Sequence, residues 1–149
     1  MSPLEQINQF IESQPLALAG VSRNPKKFGY TAFKELKSKG MNVFPINPET
    51  NEIMGEKVYQ CIKDLPGDVR GIIIMTSKEK SASVVREALD RGIKQIWFQQ
   101  MSDSEEALDL VKSSGINYIT GECILMHYKP NSFHKFHRAI NKLFGKFPK

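Results

Sequence analysis

The run Gly71-Ile72-Ile73-Ile74-Met75-Thr76 most narrows what this chain can become. It is apolar almost throughout and shows no polar alternation. A strand that is apolar on both faces must be covered on both faces, as a central strand of a parallel sheet is. Parallel neighbours need long crossover connections, usually helical, and the flanking sequence offers them. Residues 81–91 carry Val84, Val85, Ala88 and Leu89 at helical spacing and close on Gly92. Residues 104–113 carry Ala107, Leu108 and Val111 and are followed by Gly115. Residues 30–39 read as a helix stopped by Gly40, and short apolar strands are predicted at 16–19, 41–46, 95–99 and 116–120. At the N-terminus, Ser2-Pro3-Leu4-Glu5 has the form of a capping box with proline in the first turn, followed by a stripe of Leu4, Ile7, Phe10 and Ile11. The stretch 49–67 is mixed, with turn signals at Gly55 and Pro66-Gly67, and is predicted to cross back through a short helix around 59–65.

Strand and helix thus alternate almost without interruption. That order predicts a Rossmann-like, doubly wound α/β fold: a parallel sheet of about five strands in a three-layer sandwich, with additional N- and C-terminal helices. In such sheets ligands bind beyond the carboxyl ends of the strands, where strand order reverses. The loops after strands one to four are therefore the ones to read for function.

The 149 residues suit one core. The net charge of +5 is concentrated: six basic residues and no acid lie from Lys129 onward, leaving fifteen basic and sixteen acidic residues in 1–128, a net of −1. The expected organisation is a ligand-binding domain over 1–128 and a basic helical extension over 129–149. A near-neutral body does not support a general nucleic-acid footprint. There is no apolar run of eighteen residues, so no transmembrane segment is expected. Residues 1–14 lack a secretory pattern, and two cysteines do not make a disulfide framework, so a reducing cytoplasm is the expected location.

The most informative loop follows the first strand: Gly20-Val21-Ser22-Arg23-Asn24-Pro25-Lys26-Lys27-Phe28-Gly29. Gly20 allows a tight turn, Ser22 and Asn24 bring side-chain hydrogen bonds, and exposed amides at the start of the next helix favour an anion. Arg23, Lys26 and Lys27 add positive charge. The dinucleotide fingerprint is nevertheless absent, since Ser22 and Pro25 stand where its second and third glycines would be. The second strand ends in Ile46-Asn47-Pro48, with no acid in place for ribose hydroxyls and Glu49 only after the proline. A ligand with an extra ribose phosphate suits such a loop better than NAD does; coenzyme A and NADP both carry one.

The Gly-Val-Ser-Arg-Asn-Pro loop, Val43-Phe44-Pro45-Ile46-Asn47-Pro48, the segment 55–65 with Val58-Tyr59, and Ile96-Trp97-Phe98-Gln99 together resemble the stand-alone CoA-binding domain proteins, over roughly residues 12–128. These are similar to the nucleotide-binding domain of the succinyl-CoA synthetase alpha subunit. The resemblance implies that Gly20, Val21, Ser22, Arg23 and Asn24 hold the pyrophosphate of coenzyme A. It implies that Asn47 and Pro48 border the adenosine, with Arg23 or Lys26 meeting the 3′-phosphate. Thr76 and Ser77 would face the pantetheine path, and Phe98, Gln99 and Gln100 would flank it from the other side. Gln99-Gln100 stand where the synthetase has a threonine and an acid, and these residues include no counterpart of its histidine-bearing second domain. Ligase activity is therefore not expected. The expected function is non-catalytic binding of coenzyme A or an acyl-CoA by a sensor, carrier or regulator. An NADP-binding or acyl-CoA-using enzyme is the alternative.

Other features have blander readings. Cys123 reads as a buried structural residue, with a thiol at the cofactor mouth as the alternative; Cys61 reads as packing. His134 and His137 lack an acid or thiol partner at helical spacing, so no metal site is expected. Phe133, Phe136, Ile140, Leu143, Phe144 and Phe147 recur at threes and fours over a predicted helix at 132–144, with the basic residues largely elsewhere. That amphipathic helix suits docking on the protein's own body, a homodimer mate, or an acidic partner or membrane surface.

Overall fold

The structure is a computed structural model that describes residues 2–129. The extension 130–149, including the predicted amphipathic helix, lies outside the described residues. Among the described residues, seven strands and four α-helices follow one another as α1 (Pro3–Glu12), β1 (Leu16–Ala19), α2 (Phe28–Ser38), β2 (Val43–Ile46), β3 (Glu52–Ile53), β4 (Glu56–Lys57), β5 (Gly71–Ile74), α3 (Lys78–Asp90), β6 (Gln95–Gln99), α4 (Glu105–Ser114) and β7 (Asn117–Glu122). Five strands form one parallel sheet in the order β2-β1-β5-β6-β7. The doubly wound fold read from the alternation is the one observed.

Side-chain alternation divides the core into the two outer interfaces of a three-layer sandwich. Leu16, Leu18 and Ile73 point to the face covered by Ile7 and Phe10 of α1 and by Ala32, Phe33 and Leu36 of α2. Ala17, Ala19, Ile72 and Ile74 point to the face covered by Ala82, Val85 and Ala88 of α3 and by Ala107 and Val111 of α4. Every residue of β1, β5 and β6 is buried, which is why β1 and β5 read as continuous apolar runs and β6 has an apolar centre between Gln95 and Gln99.

Local signals behave as their chemistry requires. Ser2 Oγ accepts from the Glu5 amide at 3.2 Å, and Glu5 Oε2 accepts from the Ser2 amide at 2.6 Å, closing the capping box. The hydrogen bond from the Ser2 backbone amide, and then one with the Ser2 side chain, hold the Glu5 carboxyl below its ordinary range. The segment between β2 and β5 departs from expectation. Before the short helix expected around 59–65, which shrinks to one 3₁₀ turn, it contains the antiparallel hairpin β3–β4, turned at Met54 and Gly55, both with positive φ (53° and 75°), as a two-residue hairpin turn demands. Tyr59 then pairs beside Ile46 at the sheet edge, and only Ile62–Asp64 makes a 3₁₀ turn. Arg91 pins this segment to α3, with Nη2 donating to the Leu65 and Pro66 carbonyls at 2.7 and 2.8 Å. Pairing across the edge of the sheet and a hairpin of two-residue strands leave too little periodicity to be read locally.

The chain runs outward from β1 to β2, returns, and resumes on the other side of β1 as β5. Strand order therefore reverses at β1/β5, and the crevice of a doubly wound sheet belongs above that pair's carboxyl ends.

Candidate functional site

A cleft of about 630 Å³ lies at that position, within the roughly 300–1,000 Å³ range of small-molecule sites. Its walls come from the loops after β1, β2 and β5, from residues 60–62, and from the first turns of α3.

Gly20 forms its floor. Its φ is +96°, in the left-handed region, and a Cβ there would stand 2.6 Å from the Met75 carbonyl carbon. The backbone after β1 therefore lies directly against the backbone after β5, and no side chain fits between them. A second close approach was not apparent from the fingerprint spacing. A Cβ on Gly29 would stand 2.1 Å from the Gly20 carbonyl oxygen. Gly29 thus lets α2 pack onto the end of β1, the part played by the third glycine of the dinucleotide fingerprint. Pro25 is not its replacement; the loop is longer, and the glycine next to Phe28 was the signal.

Within the loop, Ser22 Oγ accepts from the Asn24 amide and Asn24 Oδ1 accepts from the Lys26 amide, both at 3.0 Å. Two backbone amides that could meet an anion are thereby turned onto side chains. The Ser22 hydroxyl proton and the Asn24 amide group retain donor capacity. Asn47 ties this loop to the one after β2: its Nδ2 donates to the Val21 carbonyl at 2.8 Å, and its Oδ1 accepts from the Glu49 amide at 2.7 Å.

Of the residues singled out by sequence, Gly20, Val21, Ser22, Asn47, Pro48, Thr76 and Ser77 line the cleft together. Arg23, Asn24 and Lys26 are exposed on the loop beyond the lining, while Lys27 and Phe28 are part of it. Phe98 and Gln99 are not brought to the cleft. Phe98 is fully buried in the α3/α4 face of the core, and Gln99 is buried with its Oε1 accepting from the Ile124 amide at 3.0 Å. That bond anchors a 3₁₀ turn, Ile124–Met126, which fills the space beyond β6. Gln100 Nε2 donates to the Gly121 carbonyl at 3.4 Å.

Cys123 sits as read, and Cys61 does not. Cys123 is buried in the α1/α2 face of the core. Cys61, read as packing, lines the cleft, and its thiol donates to Asp64 Oδ2 at 2.7 Å. That hydrogen bond, followed by burial and by the charge of Asp64, pushes the thiol above its ordinary range. Glu49 also lines the cleft and lies 3.7 Å from Arg23 Nη2. An acid thus stands just past the end of β2 after all, displaced by the Asn47-Pro48 turn. Lys80 and Glu87 of α3 were missed, because helical spacing marks a buried face but not which exposed turn overhangs a neighbouring loop, and Val84 of the apolar stripe lies at the cleft edge of that face.

The cleft wall carries two lysines, Lys27 and Lys80, and two acids, Glu49 and Glu87, over a backbone floor. The Gly20 cradle admits only backbone, Lys27 and Lys80 bring positive charge to the wall, and the Thr76 hydroxyl is buried with no hydrogen-bond partner among the described residues. A buried polar atom without a partner is uncommon and marks a place where a bound group can complete the bonding. Among the described residues no helix is long and apolar enough to cross a membrane.

The chain matches the CoA binding domain family over residues 14–129. The alpha subunit of ADP-forming acetate–CoA ligase II from Pyrococcus furiosus is 27% identical over 129 residues, covering 79% of this chain and 28% of the subunit. The uncharacterized protein YneT of Bacillus subtilis is 27% identical over 112 residues, covering 75% of this chain and 83% of that protein. Among solved structures, a conserved hypothetical protein from Pyrococcus furiosus superposes with a TM-score of 0.71 at 39% identity, covering 74% of this chain and 95% of that one. The chain therefore spans little more than a quarter of the ligase subunit but most of the length of the other two.

Proposed function

The chain belongs to the CoA binding domain family, and from that premise we propose that it binds coenzyme A or an acyl-CoA in the β1/β5 cleft without catalysing a reaction on it, as a sensor, carrier or regulator. The observation that carries the reading is the Gly20 cradle, where the backbone after β1 approaches that after β5 too closely for any side chain. In this reading the backbone of the loop from Gly20 to Asn24 takes the pyrophosphate at the N-terminal end of α2, and the Arg23 side chain meets the 3′-phosphate. Lys27 replaces Lys26 as the lysine that faces the ligand. Asn47 and Pro48 border the adenosine, with Asn47 acting chiefly as a brace between two loops. Thr76 and Ser77 face the pantetheine arm, and the partnerless Thr76 hydroxyl is suited to one of its amides.

The acyl-CoA-using enzyme is the weaker reading. Cys61 is the thiol on the cleft wall, but its bond to Asp64 favours the protonated form, whereas a nucleophilic cysteine needs its thiolate. A cytoplasmic location belongs to the same proposal, as does docking of the extension beyond residue 129 on the protein's own body, a homodimer mate, or an acidic partner or membrane surface; that extension lies outside the described residues.

Isothermal titration with coenzyme A, dephospho-CoA, NADP and NAD tests the ligand. Saturable heat with coenzyme A is the expected result. Saturation by a nicotinamide cofactor, with no heat from coenzyme A, would overturn it.

A further inference from the structure

We propose that Glu49 is a selectivity residue of the cleft: it holds Arg23 in the free protein and yields it to the ribose phosphate of the bound nucleotide. The pair then sets the preference between nucleotides with and without that phosphate. The inference rests on the proposed coenzyme A site and goes beyond it, since sequence reasoning gave Glu49 no role.

Its basis is an acid where a phosphate is expected. Glu49 lies three residues beyond the end of β2, close to where dinucleotide sites place an acid for ribose hydroxyls. The backbone of Glu49 is tied to the phosphate loop through Asn47, which accepts from the Glu49 amide and donates to the Val21 carbonyl. Left alone, a carboxylate there would repel a ribose phosphate. It is not left alone: Arg23 Nη2 stands 3.7 Å from Glu49 Oε2. Arg23 does not itself line the cleft, so its guanidinium reaches the wall through this contact.

The pair is also built to exchange. Both side chains are well exposed, at 59% and 77%, and an exposed ion pair shifts an equilibrium by only about fivefold or less. Glu49 offers the guanidinium one contact at 3.7 Å, whereas a phosphate dianion brings a larger charge and can accept two parallel hydrogen bonds at about 2.7–2.9 Å. A ribose phosphate therefore displaces Glu49 from Arg23, whereas a bare ribose leaves the pair intact and meets Glu49 as an acceptor. Among the described residues, Lys27 and Lys80 line the cleft without an ion pair to Glu49, so the exchange of a carboxylate for a phosphate is left to Arg23 and Glu49.

The test is the ratio of coenzyme A to dephospho-CoA affinity at low ionic strength for the unaltered chain, Glu49→Gln and Arg23→Gln. All three are expected to fold alike, because both side chains are exposed. Glu49→Gln should raise coenzyme A affinity by about threefold to fivefold by removing the competitor, and leave dephospho-CoA within about twofold, since glutamine can still accept a hydroxyl. Arg23→Gln should lower coenzyme A affinity by about tenfold and barely change dephospho-CoA. A ratio unchanged in both variants, with the unaltered chain binding both ligands, would overturn this inference alone. An unaltered chain that binds neither ligand would overturn the coenzyme A reading and this inference with it.

Discussion

The carboxyl edge of the sheet has two halves built from similar materials and used differently. Beyond β1, β2 and β5 the loops part into a cleft whose floor is backbone and whose Thr76 hydroxyl has no partner among the described residues. Beyond β6 and β7 the edge is closed. Gln99 accepts from the Ile124 amide, Trp97 Nε1 donates to the Glu122 carbonyl at 3.1 Å, and His127 Nε2 lies 3.0 Å from Glu122 Oε2 beside the Trp97 ring. Polar residues in the closed half complete the protein's own hydrogen bonding. Those in the open half are braced by one another and retain capacity for a guest. A polar side chain at the end of a strand is thus a site candidate only on the side where strand order reverses.

Substitutions that treat the halves differently test this contrast. The largest effect is expected at Gly29→Ala, whose added methyl would press on the Gly20 carbonyl and push α2 off the end of β1. A loss of about 3 kcal/mol or more is expected, measured by urea unfolding, together with loss of coenzyme A binding. Unchanged stability would show that α2 can withdraw without cost. Next is Gln99→Leu, which leaves the buried Ile124 amide without its acceptor. It should cost about 1–3 kcal/mol with coenzyme A affinity unaltered. A selective loss of affinity at full stability would instead bring Gln99 into the site and erase the contrast.

Thr76→Val sharpens the contrast from the other side. Removing a hydroxyl that has no partner should leave unfolding stability the same or slightly higher, while coenzyme A affinity drops several-fold, about 1 kcal/mol. Equal affinity for both forms would mean that the hydroxyl is not completed by the ligand. The smallest change is expected at Asp64→Asn. The carboxylate now stabilises the protonated thiol of Cys61, so replacing it with a neutral acceptor should lower the thiol pKa toward its ordinary range. Alkylation of Cys61 at pH 8, below the raised pKa, should then become faster, followed by mass spectrometry with Cys123 as the buried internal control. An unaltered rate would assign the slow reactivity to burial alone.

The sequence by itself determined what depends on near neighbours. The unbroken run at Gly71 announced a strand covered on both faces, the Ser2–Glu5 box announced a helix start, and the alternation of elements announced the parallel sheet. The resemblance carried by the loops after β1 and β2 pointed to the family. What only the tertiary structure decided depends on which loops become neighbours. Phe98 and Gln99 follow a strand as Thr76 and Ser77 do, yet one pair is buried and the other lines a cleft. Cys61 was read as packing for the same reason: its place on the cleft wall follows from the edge pairing of Tyr59 with Ile46, which is non-local. Gly29 and Glu49 are the clearest cases, since each acts through one close approach to the loop after β1. Periodicity records how a residue sits on its own element, and it carries no information about the distance to a backbone that folds in from elsewhere.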